Sequence, residues 1–376
     1  MEVKLDNISK NWHGFALRDI NLTVAQGEYF ILLGPTGAGK TLLLETIMGF
    51  HKPDRGRILL SGVDITELPP EKRGIGYVPQ TCVLFPHMNV RQNIEFGLKV
   101  QHVAEDKRKQ TVDKVLESIG LTSLALCQPA TLSGGEKQKV SLARVLATQP
   151  KIMLLDEPLT GMDVETARDL RRELKQIHSE GKTVIHVTHN QIEGFSLGDR
   201  MGLMREGEIV QTGEIQEVIS NPKNEYAAKF LGYENVYKAN LIQCKGSLSV
   251  VRVGTAQLKV LGSIDTAECV IAVRPEEVAI GECPEADGSM NVLEGNVVDF
   301  VDQGRFVEVS VDAGFPLQVL VTRSTFIEKR LEIGQNVPLT IKPEAVKVVE
   351  ALRSVERSAK ETANLRNGME SEHMPK

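Results

Sequence analysis

No apolar run in this 376-residue chain approaches the roughly 18–20 residues needed to cross a bilayer. The longest runs, such as 29–33 and 152–155, have the length of buried strands. The opening MEVKLDNISK lacks the apolar centre of a secretory signal, so nothing points to secretion. Cysteines are few and scattered: Cys82, Cys127, Cys244, Cys269 and Cys283 form no C-x-x-C pair and adjoin no histidine cluster. They read as reduced thiols in a cytosolic protein, not as a disulfide or zinc framework. A basic surplus is missing too. Lys and Arg total 44 against 50 Asp and Glu, a net charge of −6, whereas a chain built to grip a nucleic acid backbone carries excess positive charge. Nucleic acid is not an expected partner. What is present, 41% hydrophobic and 25% charged residues, is globular composition with enough apolar material for a sizeable core. The length suggests two or three domains.

Up to residue 232 short apolar runs (29–33, 152–155, 183–187) alternate with helix-like stretches such as 108–119 and 165–180. That alternation predicts α/β units around a parallel sheet buried on both faces. From 233 the sequence turns to strands and turns rich in Val, Gly and Asp, with an internal echo. Val273-Arg274-Pro275-Glu276-Glu277-Val278 is matched by Ile341-Lys342-Pro343-Glu344-Ala345-Val346, and each copy begins with Asn-Val, at Asn235 and Asn291. The echo predicts a duplicated β-unit, with half-units about 235–282 and 291–350 inside a second domain spanning 233–352. The tail 353–376 is polar and is expected to be disordered.

Gly34-Pro35-Thr36-Gly37-Ala38-Gly39-Lys40-Thr41 fits G-x-x-x-x-G-K-[ST], between an apolar strand and a helix beginning at Leu42. Glycines let backbone N–H groups converge on phosphate oxygens, and the helix N-terminus adds positive potential. Lys40 would then reach the β and γ phosphates, and the Thr41 hydroxyl would ligate Mg²⁺. At the end of the run 152–155 stand Asp156 and Glu157, where open α/β sheets bind ligands. Asp156 suits a Mg²⁺ site, and Glu157 suits polarising the water that attacks the γ-phosphate. Ser133-Gly134-Gly135-Glu136 opens a further helix. Its donors, the Ser133 hydroxyl and the Gly135 N–H, form a second anion cradle. Two cradles for one nucleotide suggest a site shared between subunits. His189 ends the run that begins at Thr183, at the ligand edge, while His186 lies inside the run and reads as packing.

On these motifs, with Gln80 in Tyr77-Val78-Pro79-Gln80, the sequence resembles the ATP-binding subunits of ABC transporters over 1–232. The resemblance implies that Trp12 stacks on adenine and that Gln80 senses the γ-phosphate and Mg²⁺. It implies that His189 holds the γ-phosphate, and that Asp163 and the Ser133–Glu136 signature contact the nucleotide of the opposite subunit in a homodimer. Phe85-Pro86-His87-Met88 resembles the surface that receives a membrane permease, so permease docking is expected near 80–88. Glu136 stands where Gln is commoner in the family, Lys139 where Arg is frequent, Gly161 where Ala or Asn is usual, and Asn190 where Asp is common. DNA-repair relatives would carry a coiled coil or zinc hook between the phosphate loop and the signature, and translation-factor relatives a second ATPase domain. Neither feature is present.

The single ATPase domain with a second domain behind it resembles importers fed by an extracytoplasmic solute-binding protein, working at the cytoplasmic face of the membrane. Pro69–Arg73, 185–189 and 230–235 resemble the molybdate/tungstate group. Residues 312–324 and 331–334 resemble its oxyanion-binding domains and the small molybdate-binding proteins. The implied fold is an α/β P-loop ABC ATPase domain followed by an all-β, OB-like or molbindin-like duplicated barrel. Thr322, Arg323, Ser324 and Lys342 are the candidate regulatory oxyanion ligands. Pro343 offers neither N–H nor hydroxyl to such an ion. The alternative is therefore an importer of sulfate, ferric iron, polyamine or sugar whose second domain only dimerises.

Overall fold

The computed structural model describes residues 1–281 and 290–352. The expected disorder of 353–376, and Cys283, lie outside the described residues. Two compact units divide at Ser220/Asn221. That is ahead of the expected boundary at 232, because the helix Glu225–Phe230 packs on strands of the second unit.

In the first unit the apolar runs form a six-stranded sheet ordered Glu208–Glu214, Arg200–Arg205, Tyr29–Leu33, Thr183–Thr188, Ile152–Asp156, Ile75–Val78. All neighbours pair in parallel except the Glu208–Glu214 edge strand. Strands Tyr29–Leu33, Ile152–Asp156 and Thr183–Thr188 are buried along their whole length. Continuous apolar runs of this kind suit strands covered on both faces. Register pairs Leu33 with Thr188, Val187 with Asp156, and Leu155 with Val78. Four adjacent strands therefore finish in step at one edge, each delivering a motif there. An antiparallel sheet, built on the hairpin Val3–Trp12 and Phe15–Val24, adds a second layer. Helices Gly134–Ala147 and Val164–Ser179 complete the unit. No described helix is long and apolar enough to cross a membrane, and none of the four described cysteines is in a disulfide.

The second unit contains two five-stranded antiparallel sheets over one apolar core, which includes Val251, Ile271, Val309 and Leu339. The echo is a true structural repeat, with one feature the sequence did not announce. The half-units exchange their last strands. Val278–Ile280, which ends the first half, pairs with Asn336–Ile341 of the second. Lys347–Leu352, which ends the second half, pairs with Glu268–Val273 of the first. The repeated asparagines are crosswise clasps. Asn235 donates to the Gln318 carbonyl at 2.8 Å and accepts from its N–H at 2.7 Å. Asn291 does the same with Lys259, at 3.0 and 2.5 Å. Both side chains are buried, so each clasp satisfies polar groups of an edge strand away from water.

Candidate functional site

The strand ends surround a cavity of about 410 Å³ whose lining includes Thr36, Gly37, Gly39, Lys40, Thr41 and Leu42 of the phosphate loop. Gln80, Glu157 and His189 close it from the neighbouring strands. Gly39 has φ +101°, and a Cβ there would come within 2.5 Å of the Phe15 ring. Only glycine fits that approach. The Lys40 ammonium rests on the carbonyls of Gly34 and Pro35, at 2.8 and 3.0 Å, and lies 3.7 Å from Glu157 Oε1. Ala38 is buried and its N–H closes the loop on Pro35.

Charge is expensive here. Burial pushes the Lys40 pKa down, opposed by the nearby Glu157 and Asp156. Burial raises the Asp156 carboxyl, opposed by hydrogen bonds from the Thr41 and Tyr77 hydroxyls at 3.1 and 3.3 Å. Glu157 holds a left-handed backbone, φ +48°, the kind of strain that clusters at functional sites. Its N–H donates to Val187 O, and Oε2 accepts from Thr160 at 2.7 Å and faces His189 Nδ1 at 2.6 Å.

Phe15 also lines the cavity, a residue to which the motifs assign no role. Trp12 pairs with it across the hairpin, but Trp12 sits edge-on to His51 at 5.3 Å and is outside the cavity lining.

None of Ser133, Gly134, Gly135, Glu136 or Asp163 lines the cavity. Ser133 N–H and Oγ both donate to Glu136 Oε2, at 2.7 and 2.8 Å, and Glu136 N–H returns a bond to Ser133 Oγ. This capping box holds the Glu136 carboxyl below the usual range. Asp163 caps its own helix through Glu165 N and Thr166 N, and Thr166 packs on Gly135. Lys139 pairs with Glu173 at 2.9 Å. Past Gln80, Arg144 donates to Val83 O at 2.5 Å and stacks over Phe85 at 4.6 Å. Asn93 holds Phe85 by both its N–H and its carbonyl.

In the second unit, Thr322 caps the helix Arg323–Glu328 and its hydroxyl is 2.8 Å from that of Ser324. Arg323 faces Asp302 at 3.3 Å. Lys342 instead opens the turn Pro343–Ala345, which packs on Ala256–Leu261. The oxyanion set thus divides between two places on this chain.

A phosphate loop, a strand-end carboxylate pair and a histidine around one cavity, on this sheet, define a P-loop nucleotide-hydrolysing unit. The ABC transporter family model matches residues 17–160 and the TOBE domain model 271–349. Over 92% of this chain and 99% of the relative, the sequence is 41% identical to the molybdate/tungstate import ATP-binding protein WtpC of Pyrococcus horikoshii. It is 36% identical to the spermidine/putrescine import ATP-binding protein PotA of Thermotoga maritima, over 93% of this chain and 98% of the relative. A dimeric ATP-binding cassette solved in a post-hydrolysis state with ADP and Pi covers 57% of this chain and is itself covered to 98%, at 29% identity and a TM-score of 0.53. The chain belongs to the ABC transporter family, as an ATP-binding protein of import systems, and is an ATPase.

Proposed function

We propose that this chain hydrolyses ATP to drive molybdate or tungstate import. The observation carrying the cargo is the 41% identity to a molybdate/tungstate import protein across both domains. Lys40 and the loop N–H groups would bind the β and γ phosphates, and Phe15 or Trp12 the base. Glu157, freed from His189, would take the proton of the attacking water, and His189 and Gln80 would orient the γ-phosphate. Asp156 and Thr41 supply hard oxygens at 3.1 Å from each other. That donor set fits Mg²⁺, whose charge would offset that of the phosphates. Ser133–Glu136 and Asp163 would serve the partner's nucleotide in a homodimer. A membrane permease would dock at 80–88, taking solute from an extracytoplasmic binding protein, which puts this chain at the cytoplasmic face.

The second unit would sense the imported oxyanion through Thr322, Arg323, Ser324 and Lys342, gathered across a two-fold between chains. Such an ion inhibits only if it prefers the inactive arrangement. The second reading, a dimerisation module on an importer of other cargo, draws on Pro343, on the Arg323–Asp302 contact and on the polyamine-import relative. Calorimetry of the full-length protein with tungstate, molybdate and sulfate, beside uptake by the assembled transporter, tests both. Tungstate uptake with no binding to this chain would leave the cargo and remove the sensor. Uptake of polyamine instead would overturn the cargo.

A further inference from the structure

Beneath the turn that carries His189 lies a polar chain that hydrolysis as described leaves unused. Tyr29, His186 and Glu193 are 0%, 0% and 4% exposed. The Tyr29 hydroxyl is 3.0 Å from His186 Nδ1, and His186 Nε2 is 3.3 Å from Glu193 Oε2. Burial holds the phenol well above its ordinary pKa, so it keeps its proton, and the direction of its bond to Nδ1 follows the tautomer of the ring. Buried polar atoms nearly always have partners. Yet His186 Nε2 and Glu193 Oε2 are not aligned as a hydrogen bond, and neither has another partner among the described residues.

The placement of this chain in the fold gives it a use. Tyr29 opens the strand that runs into the phosphate loop. His186 lies on the strand Thr183–Thr188 that leads to His189, and Glu193 follows His189 in the first turn of the helix Gln191–Leu197. That helix lies directly on the loop-bearing strand, since a Cβ on Gly194 would come within 3.0 Å of Leu33. The two ends of the His189 turn are thus brought together from below and rooted on the strand of the phosphate loop. We infer that Tyr29, His186 and Glu193 are positioning residues for His189. The unaligned His186–Glu193 contact closes when nucleotide seats His189, so the chain acts on turnover and not on nucleotide capture. Buried networks of this sort fix one geometry when every member is satisfied.

The inference rests on the hydrolytic role given to His189, and a double-mutant cycle in the full-length protein separates the two. Single-turnover ATP hydrolysis and nucleotide affinity are measured for E193Q, H189A and the double variant. E193Q should slow hydrolysis about tenfold, within the range that coupled neighbours reach, and change affinity less than about twofold. On the H189A background E193Q should cost less than about twofold, because the residue it acts through is gone. The same loss on both backgrounds, or affinity falling in parallel, overturns the inference. Hydrolysis by H189A at the parent rate overturns the His189 role itself. Should E193Q fail to fold, Y29F removes one hydroxyl only. It should slow hydrolysis about threefold without loss on the H189A background, and an equal loss there has the same adverse meaning.

Discussion

Glu157 and His189 meet at 2.6 Å, carboxylate Oε2 to imidazole Nδ1, and the Thr160 hydroxyl donates to the same oxygen at 2.7 Å. Oε2 is thus engaged from two sides. The other Glu157 oxygen faces Lys40 at 3.7 Å, so a nucleotide that draws Lys40 to its phosphates also alters the surroundings of this carboxylate.

Glu157→Gln should therefore bind ATP and barely hydrolyse it. Gln keeps the shape and loses the base, and positioned general-base catalysis is worth about 10²–10⁴-fold. Steady-state ATPase rates decide; turnover above half that of the parent would remove Glu157 from the chemistry.

Glu136 occupies both Ser133 donors with a negative charge, at the place proposed to serve the partner's nucleotide. Glu136→Gln keeps an acceptor for the cap and removes the charge. ATP-driven dimerisation should then need about two- to fivefold less ATP, the scale of one exposed charge pair. Sedimentation across an ATP series reads this out, and a requirement for more ATP would count against the shared cradle.

Asp156 is raised by burial, so the folded chain binds its proton more tightly than the unfolded chain. Its stabilising contribution is present below the unfolded pKa and is lost as pH rises through the folded pKa. At neutral pH the ionised group is a cost. Asp156→Asn should thus raise the nucleotide-free melting temperature at pH 7, with the gain shrinking in acid, while abolishing hydrolysis. A lower melting temperature at pH 7 would contradict it.

Asn235→Ala and Asn291→Ala should each destabilise the second unit by about 1–3 kcal/mol, since each removes two hydrogen bonds to an edge strand. Urea unfolding followed by Tyr237, whose phenol burial raises to about 12, should register the loss. A change confined to the first unit would refute the clasps.

The cavity was legible because its residues are tied to strand ends. Lys40, Gln80, Glu157 and His189 follow apolar runs, and a parallel sheet in register must bring those ends together. Phe15 was not legible, since the only tryptophan next to it drew the aromatic role and nothing local says which face of a hairpin meets the loop. The signature says which groups of its cradle donate, the Ser133 hydroxyl and the Gly135 N–H, but not that the Glu136 carboxylate accepts from Ser133. The strand exchange was hidden for a different reason. Val273–Val278 and Ile341–Val346 are so alike that either following strand suits either sheet edge.

That exchange sets an order of events on the ribosome. The first unit has all its sheet partners once the strand Glu208–Glu214 has emerged, and it can close while the rest is still being made. The second unit cannot close in halves. Glu268–Val273 waits for Lys347–Leu352, synthesised last among the described strands, with its own edge open until then. A nonsense codon just before 347 would therefore leave the nucleotide site intact on a chain whose internal strand Glu268–Val273 keeps an open edge, a template for aggregation. Quality control acting on this protein would answer to its final strand.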